Sequence, residues 1–213
     1  MEINFTQMDK HNSIEEPLFY YCENVLDYDL LEELQIWLDN KEFKNGYNIG
    51  GKQIPRQQLW YQKDNKYFCE EWKSRYDRWV SEEYMEFLQL VQNKIQLKLY
   101  SILDEFPKVS KPCINSCLIN KYRDGQDSIK PHSDCYQSFG EYPTIANFSI
   151  GGTREIVLQN RFNKETIKFN LGDNSLFIMA GGSQKYFTHE IPKCDSDEVR
   201  YSMTFREYLL DDE

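Results

Sequence analysis

Two spacings of apolar residues divide the chain near residue 110. Before this point, apolar residues recur every three or four positions, as on the buried face of a helix. This pattern predicts one helix that begins at Asp29, with Glu32 three positions on in a capping-box-like arrangement, and a second over about 81–103. A short apolar run over 18–21 predicts a strand ahead of both helices.

After residue 110, apolar and polar residues alternate, which is typical of strands with one buried face. The predicted strands cover 118–122, 144–150, 154–159, 165–169, 175–179, 186–191 and 199–206. Glycine-containing turns separate several of them, and short strands at this spacing predict a sandwich or jelly roll. The glycine-rich, then basic and aromatic stretch 46–66 predicts a surface loop or hairpin.

Composition narrows the class of protein. Hydrophobic residues make up 40% of the chain, and no apolar run reaches the length of a membrane span, so we expect a globular protein without a membrane partner. The net charge of −10 argues against strong non-specific binding to nucleic acid but is compatible with a local basic patch.

The six cysteines form no Cys-x-x-Cys pair. Cys113 and Cys117 lie four positions apart, but no second pair or nearby histidine completes a zinc site. Free thiols are typical of a reducing compartment, and the polar stretch 1–17 resembles neither a signal nor a transit peptide. We therefore expect an intracellular protein, and a monomer.

Two of the three histidines belong to a pattern that predicts a metal site. His132 and Asp134 are two positions apart, so on an extended segment both side chains point to the same side. His189 lies on a later predicted strand and could supply a third ligand. Two imidazoles and one carboxylate with open positions suit iron(II) better than zinc. The alternative is a structural histidine, which the neighbouring Asp134 disfavours.

The last predicted strand carries two arginines on one face. Arg200 and Arg206 are six positions apart, with Ser202 and Thr204 between them on the same side. A buried arginine is costly unless it meets an anion, and a carboxylate can pair with it through two hydrogen bonds. The alternatives are structural ion pairs or a dicarboxylate co-substrate, and the histidine–aspartate pattern favours the co-substrate.

These segments together resemble the AlkB family of iron(II)/2-oxoglutarate dioxygenases. The resemblance rests on Asn120-x-Tyr122, His132-x-Asp134, His189 and Arg200-x5-Arg206, covers about 115–208, and extends more faintly to Pro55-Arg56. It implies an α+β, mainly β fold, with a double-stranded β-helix (jelly-roll) core, N-terminal supporting helices and a substrate lid. The implied organisation is a polar tail over 1–17 and one dioxygenase domain over 18–213, with helices and lid over 18–110 and the catalytic core over 111–210.

The resemblance also implies a reaction and its cofactors. Fe(II) would bind His132, Asp134 and His189, with 2-oxoglutarate and dioxygen as co-substrates. Oxidation would demethylate N-alkylated bases of DNA or RNA, as in alkylation repair, and release aldehyde, succinate and carbon dioxide.

Further residues would hold the co-substrate. Arg200 would pair with the distal carboxylate of 2-oxoglutarate, helped by Tyr122, while Asn120 and Arg206 would lie near its keto-acid end. Ser202 stands where AlkB relatives often carry asparagine, but Arg-x-Ser is common in other 2-oxoglutarate oxygenases.

Candidate substrate contacts lie outside these motifs. Arg56 could contact phosphate, and four aromatic residues could stack on bases unless they are ordinary surface or core residues: Trp60, Tyr61, Tyr67 and Phe68. DNA-repair members carry an acidic residue soon after His-x-Asp, where this chain has Cys135 and Tyr136, so the base preference does not follow from the resemblance.

Two other functions remain open at this point. The first is a 2-oxoglutarate-dependent hydroxylase of a protein, lipid or small molecule, which the acidic charge favours and the Pro55-Arg56 segment disfavours. The second is a non-catalytic jelly-roll binding module, which the complete set of ligands and arginines disfavours.

Overall fold

Two antiparallel β-sheets form most of the computed structural model, which describes residues 13–47, 51–62 and 80–209. The strands are β1 (Pro17–Glu23), β2 (Lys44–Tyr47), β3 (Gln53–Gln62), β4 (Ser116–Tyr122), β5 (Ile129–His132), β6 (Ile145–Gly151), β7 (Arg154–Asn160), β8 (Thr166–Leu171), β9 (Ser175–Gly181), β10 (Phe187–Ile191) and β11 (Arg200–Arg206). The helices are α1 (Tyr28–Asp39), α2 (Glu86–Leu103), α3 (Tyr136–Phe139) and α4 (Ser183–Tyr186). None of the helices in these ranges is long and apolar enough to cross a membrane.

The large sheet has the strand order β1-β9-β6-β11-β4-β3-β2, and the small sheet has the order β5-β10-β7-β8. Strands that are distant in sequence are therefore neighbours, as β11 lies between β6 and β4. This mainly β architecture, with its two N-terminal helices, confirms the predicted fold class.

Two cores cover the two faces of the large sheet. On its outer face, α1 and α2 bury residues such as Leu34, Val91 and Ile95 against strand residues that include Ile119 and Met203. The helices supply the second layer that this face needs, since a sheet must bury its apolar side against another element.

The inner core lies between the two sheets. Phe177 and Met179 of the large sheet pack here with Leu158 and Phe187 of the small sheet. In β11, Met203 belongs to the outer core, so the alternating arginine-bearing positions face inward, as predicted from their even spacing.

The predicted strands are all present, while both helices begin at other residues than expected. The α1 cap is Asp27, whose extended backbone lets Oδ1 accept from the Leu30 N–H at 3.0 Å, so the helix starts before Asp29. Helix α2 starts at Glu86 rather than near 81, because the backbone of Glu82 exchanges hydrogen bonds with Trp60 and Gln62 of β3.

The glycine-rich stretch 46–66 is a hairpin where the structure describes it. Strands β2 and β3 pair with each other, and β3 pairs with β4, so the hairpin extends the large sheet. Its strand β3 thereby lies beside the strand that carries Asn120 and Tyr122.

Candidate metal centre and co-substrate pocket

Strands β5 and β10 bring the two predicted histidine ligands together. His132 and His189 are direct partners in the pairing of these strands, and Asp134 follows β5 by two residues. One ligand atom from each side chain lies within 4.8 Å of the other two. The distance from His189 Nε2 to Asp134 Oδ1 is 4.0 Å, which leaves room for one shared ion between them.

The ring of His132 is held with one nitrogen available for a metal. Its Nδ1 lies 2.9 Å from the backbone oxygen of Lys130, and a carbonyl can only accept a hydrogen bond. The proton therefore sits on Nδ1, and Nε2 keeps its lone pair. This is the usual way in which a second contact orients a metal-binding imidazole.

The charge states of the three groups also suit a metal. Burial lowers the pKa of His132, and burial together with the neighbouring His132 ring lowers the pKa of His189 to about 3. Burial alone would raise the pKa of Asp134, but the Arg206 guanidinium and the two imidazoles hold it below its usual range. At neutral pH the site therefore offers two neutral imidazoles and one carboxylate, the forms that bind metal.

Asp134 is fixed from two directions. Arg206 donates from Nε to Asp134 Oδ2 at 2.6 Å, and the Asp134 backbone N–H donates to Gln184 Oε1 at 3.0 Å. Between the ligands, Ser133 donates to the backbone oxygen of Phe187 at 2.8 Å and accepts from Arg161. Gln184 and Arg161 were not found from the sequence, because only the fold brings the short helix α4 and the turn after β7 to this loop.

Arg200 forms a buried cationic site in the inner core. Its side chain is among the largest that are fully buried, and the residue is 1% exposed. Nη2 donates to Ser149 Oγ at 2.8 Å and lies 3.5 Å from Asn147 Oδ1, while Nε and Nη1 have no acceptor among the described residues. Burial lowers the pKa of Arg200 to about 10, although Tyr122 acts in the opposite direction. A buried guanidinium with two donors to spare fits the carboxylate of a co-substrate.

Tyr122 lies between two guanidinium groups. The Arg200 Cζ is 5.3 Å from the centre of its ring, and the Arg154 Cζ is 5.4 Å away. Arg154 is itself held by the backbone oxygens of Asp127 at 2.8 Å and Pro192 at 2.6 Å. Arg154 was not predicted from the sequence, although its place in the alternating pattern of β7 indicates an inward side chain.

A comparison with protein families decides the class of this site. The model of the 2OG-Fe(II) oxygenase superfamily matches residues 20–206. The chain belongs to the 2OG-Fe(II) oxygenase superfamily. This membership confirms the predicted cofactor set of Fe(II), 2-oxoglutarate and dioxygen.

Relatives within the superfamily carry AlkB names, which confirms the resemblance. Over 118 residues the chain is 32% identical to the mouse alpha-ketoglutarate-dependent dioxygenase alkB homolog 3, covering 51% of this chain and 41% of the relative. The human protein of that name is 36% identical over 102 residues, covering 43% of this chain and 36% of the relative. The Arabidopsis thaliana DNA oxidative demethylase ALKBH2 is 29% identical over 133 residues, covering 51% and 42%. The chain thus spans about two fifths of the length of these curated relatives.

Solved structures support the same fold. The structure of OsALKBH1 matches with a TM-score of 0.62 at 15% identity, covering 90% of this chain and 99% of that one. A prolyl hydroxylase from Trichoplax adhaerens, in complex with a hypoxia-inducible factor peptide, matches with a TM-score of 0.57 at 13% identity, covering 90% and 83%. At these identities the likeness concerns the jelly-roll fold alone.

The remaining predicted co-substrate residues of this superfamily member also face the inner core. Strand pairing sets Tyr122 opposite Arg200 and Asn120 opposite Ser202. Ser202 accepts from Asn147 Nδ2 at 2.8 Å. The polar side chains of β11 and β4 thus lie side by side on the inner face of the large sheet, and Arg206 at one end of this row contacts Asp134.

The aromatic residues predicted to contact substrate fall into three groups. Trp60 is 3% exposed and Tyr61 is 1% exposed, so the interpretation of these two as stacking residues is wrong: the sheet buries both rings. Tyr61 packs on Trp37 of α1, with ring centres 6.0 Å apart. Tyr136 is 63% exposed at the start of α3, two residues after Asp134, and stays a candidate. Tyr67 and Phe68 lie outside the described residues.

Arg56 points into the protein rather than toward solvent. It is buried, donates from Nε to Asn120 Oδ1 at 2.9 Å and from Nη1 to the backbone oxygen of Ser128 at 3.2 Å. Its hydrogen bonds are therefore with β4 and with the loop before β5, and Arg56 has little guanidinium surface left for a phosphate.

Proposed function

We propose that the chain is an Fe(II)/2-oxoglutarate-dependent dioxygenase that oxidatively demethylates N-alkylated bases of DNA or RNA. The products would be the repaired base, an aldehyde, succinate and carbon dioxide. One observation carries the oxygenase reaction: three potential metal ligands cluster in the same molecule as a buried arginine that has donors to spare. Nε and Nη1 of this Arg200 have no acceptor within the described ranges. The names of the relatives, alkB homolog 3 and DNA oxidative demethylase, support the nucleic-acid substrate.

Each residue of the site has a task in this reaction. His132, Asp134 and His189 hold Fe(II), and Arg206 keeps the carboxylate of Asp134 ionised and oriented. Arg200 would bind the distal carboxylate of 2-oxoglutarate, and Tyr122, Ser202 and Asn120, on the same face of β4 and β11, would contact the rest of the co-substrate. When bound, Fe(II), 2-oxoglutarate and dioxygen together supply the oxidising equivalents that hydroxylate the N-alkyl carbon.

The protein contributes position and exclusion of water. The pocket lies between two sheets whose apolar residues surround it, so the charged groups act in a medium of low polarity. A base inside a duplex must leave the stack to reach such a site, and Tyr136, which is exposed two residues after Asp134, is a candidate for contact with it.

The same proposal includes the organisation of the chain. Residues 18–213 act as one dioxygenase domain, since β1 and β3 from the N-terminal part are strands of the large sheet. We expect a monomer that works inside the cell on alkylated nucleic acid.

A substrate panel tests the proposal. The full chain with Fe(II) and 2-oxoglutarate is offered single- and double-stranded oligonucleotides that contain N-methylated adenine or cytosine. Mass spectrometry then measures demethylated base and succinate, with His132→Ala as the control. Demethylation of at least one oligonucleotide by the wild type alone is the expected result.

Two results would count against it. Succinate without demethylation of any oligonucleotide would remove the nucleic-acid substrate and leave an oxygenase of a protein, lipid or small molecule. Absence of both products would remove the oxygenase itself.

A further inference from the structure

The oxygen of the Asn120 side-chain amide accepts two hydrogen bonds from the neighbouring strand β3. Arg56 Nε and Gln58 Nε2 each lie 2.9 Å from Asn120 Oδ1. Gln58 is the direct partner of Asn120 in the pairing of β3 with β4. All three side chains are buried, so water does not compete strongly for these hydrogen bonds.

Arg56 determines which way the amide faces, and Gln58 adds a second hydrogen bond that holds the oxygen in this position. A guanidinium can only donate, so the atom of Asn120 that faces Arg56 must be the oxygen. A flipped amide would bring its N–H groups against those of Arg56 and would lose the hydrogen bond from Arg56 in a buried place, which is costly. Asn120 Nδ2 therefore faces away from β3.

The Nδ2 group of Asn120 has no acceptor among the described residues. Asn120 lies on the inner face of β4, two residues before Tyr122 and opposite Ser202. It thus stands between Arg200 at one end of the pocket and the Arg206–Asp134 pair at the other.

We infer that Gln58 and Arg56 are positioning residues that turn the Nδ2 group of Asn120 toward 2-oxoglutarate. The inference rests on the proposed function, because it assumes that this pocket binds 2-oxoglutarate. It adds Gln58 to the residues that support co-substrate binding. It also assigns Arg56 to the positioning of Asn120 and not to contact with nucleic acid.

Gln58 allows a cleaner test than Arg56. Arg56 also holds the backbone oxygen of Ser128, so its replacement would disturb the loop that leads to His132. The side chain of Gln58 makes its hydrogen bond to Asn120 alone, since its Oε1 has no partner among the described residues. The neighbouring Gln57 is a matched control, because its Nε2 donates to Asn45 on β2 instead, at 3.1 Å.

The experiment is a double-mutant cycle read by binding, without turnover. The dissociation constant of 2-oxoglutarate is measured by calorimetry on Mn(II)-loaded full chain for the wild type, Gln58→Met, Asn120→Ala, the double variant and Gln57→Met. Loss of one buried hydrogen bond predicts that Gln58→Met weakens binding about fivefold. In the Asn120→Ala background the same change should have no further effect, and Gln57→Met should bind like the wild type.

If Gln58→Met does not fold, a second variant, Gln58→Glu, tests the same inference. Gln58→Glu keeps the length of the side chain and lies beside Arg56, which compensates its charge. Because it presents an acceptor to Asn120 Oδ1, it favours the flipped amide, and the loss of affinity should exceed that of Gln58→Met.

The outcomes separate this inference from the function on which it rests. Unchanged affinity in both Gln58 variants, or an equal loss with and without Asn120, would overturn the positioning role. A wild-type protein that binds Mn(II) but no 2-oxoglutarate would instead overturn the proposed function.

Discussion

His132 on β5 lies directly opposite His189 on β10, and the centres of the two rings are 4.2 Å apart. The pairing of two strands that are distant in sequence thus sets the spacing of the metal ligands. A shift of that register by one residue would turn one ring to the other face of the sheet. The small sheet is therefore as important for the metal centre as the ligands themselves.

Loss of one imidazole should abolish tight metal binding. We expect His189→Ala to weaken Fe(II) binding by more than about a hundredfold, because loss of a contact outside the ligand shell alone can cost about 10- to 100-fold. Anaerobic calorimetry with Fe(II) measures this, and His11→Ala, which removes the third histidine of the chain, should leave the affinity unchanged. Equal affinity in His189→Ala and the wild type would contradict the assignment of this ligand.

Replacement of Arg200 should separate co-substrate binding from metal binding. In Arg200→Met the two donors without an acceptor are gone, so 2-oxoglutarate should bind at least about a hundredfold more weakly, as expected for two hydrogen bonds to a charged group. Mn(II) affinity should stay at the wild-type value, since Arg200 contacts none of the proposed ligands. Arg200→Lys should not restore binding, because an ammonium group lacks the paired donors of a guanidinium.

Asn147 should support Arg200 from the neighbouring strand. Its Nδ2 donates to Ser202 at 2.8 Å and to Thr204 at 3.0 Å, which leaves Oδ1 toward Arg200. We expect Asn147→Ala to weaken 2-oxoglutarate binding by a few-fold, about the effect of one weak hydrogen bond. The same calorimetric titration measures it, and a loss as large as that of Arg200→Met would be inconsistent with an indirect role.

Truncation of two tyrosines should affect different properties, the stability of the protein in one case and the KM for substrate in the other. Tyr61 is fully buried against α1, so Tyr61→Ala should lower the free energy of unfolding by about 3 kcal/mol or more. Tyr136 is exposed, so Tyr136→Ala should change stability by less than about 0.5 kcal/mol while raising the KM for an oligonucleotide substrate. Urea denaturation and steady-state kinetics test the pair; an unchanged KM would remove Tyr136 from the substrate site.

The local spacing of residues was enough to predict much of the site. Even spacing along one strand sets Arg200 and Ser202 on the same face as Arg206, and the two-residue spacing of His132 and Asp134 works in the same way. Each of these two predictions depends on residues within a single segment, so it can be made without knowing which strands are neighbours in the sheet.

The errors and omissions arose where distant segments meet. Trp60 and Tyr61 are adjacent, so their rings lie on opposite faces of β3, and the large sheet is covered on both faces. The stretch 46–66 is glycine-rich, then basic and aromatic, a composition typical of a surface loop, so its sequence does not indicate that the end of β3 is buried on both sides. Gln58 and Asn147 were missed for a related reason, since their roles depend on which strand lies beside β4 and β11.

Acid should destabilise the loop between β4 and β5 through Asp127. Burial would raise the pKa of Asp127, but its paired hydrogen bonds from Arg123 hold it below the usual range. Because the folded-state pKa is depressed, this contribution to stability is complete above the unfolded value of about 3.9 and is lost as the pH falls through the folded-state value. Urea denaturation at several pH values should show a smaller loss of stability on acidification in Asp127→Asn than in the wild type.

The exposed Asp197 provides the control for this titration. Asp197→Asn should follow the wild-type pH dependence. Parallel curves for the wild type and Asp127→Asn would mean that Asp127 has no part in the acid sensitivity.

The pairing of β3 with β4 limits how the hairpin can be redesigned. A graft that exchanges the connection between β2 and β3 for one of another length would have to keep the inward-facing residues of β3 unchanged. Arg56 and Gln58 have to be kept because they contact Asn120, whereas Gln57 contacts Asn45 on β2 and can be exchanged. Mutant libraries that aim at new substrates should therefore leave the inward-facing Arg56 and Gln58 unchanged. Variants at these two positions would lose affinity for the co-substrate whatever substrate is used.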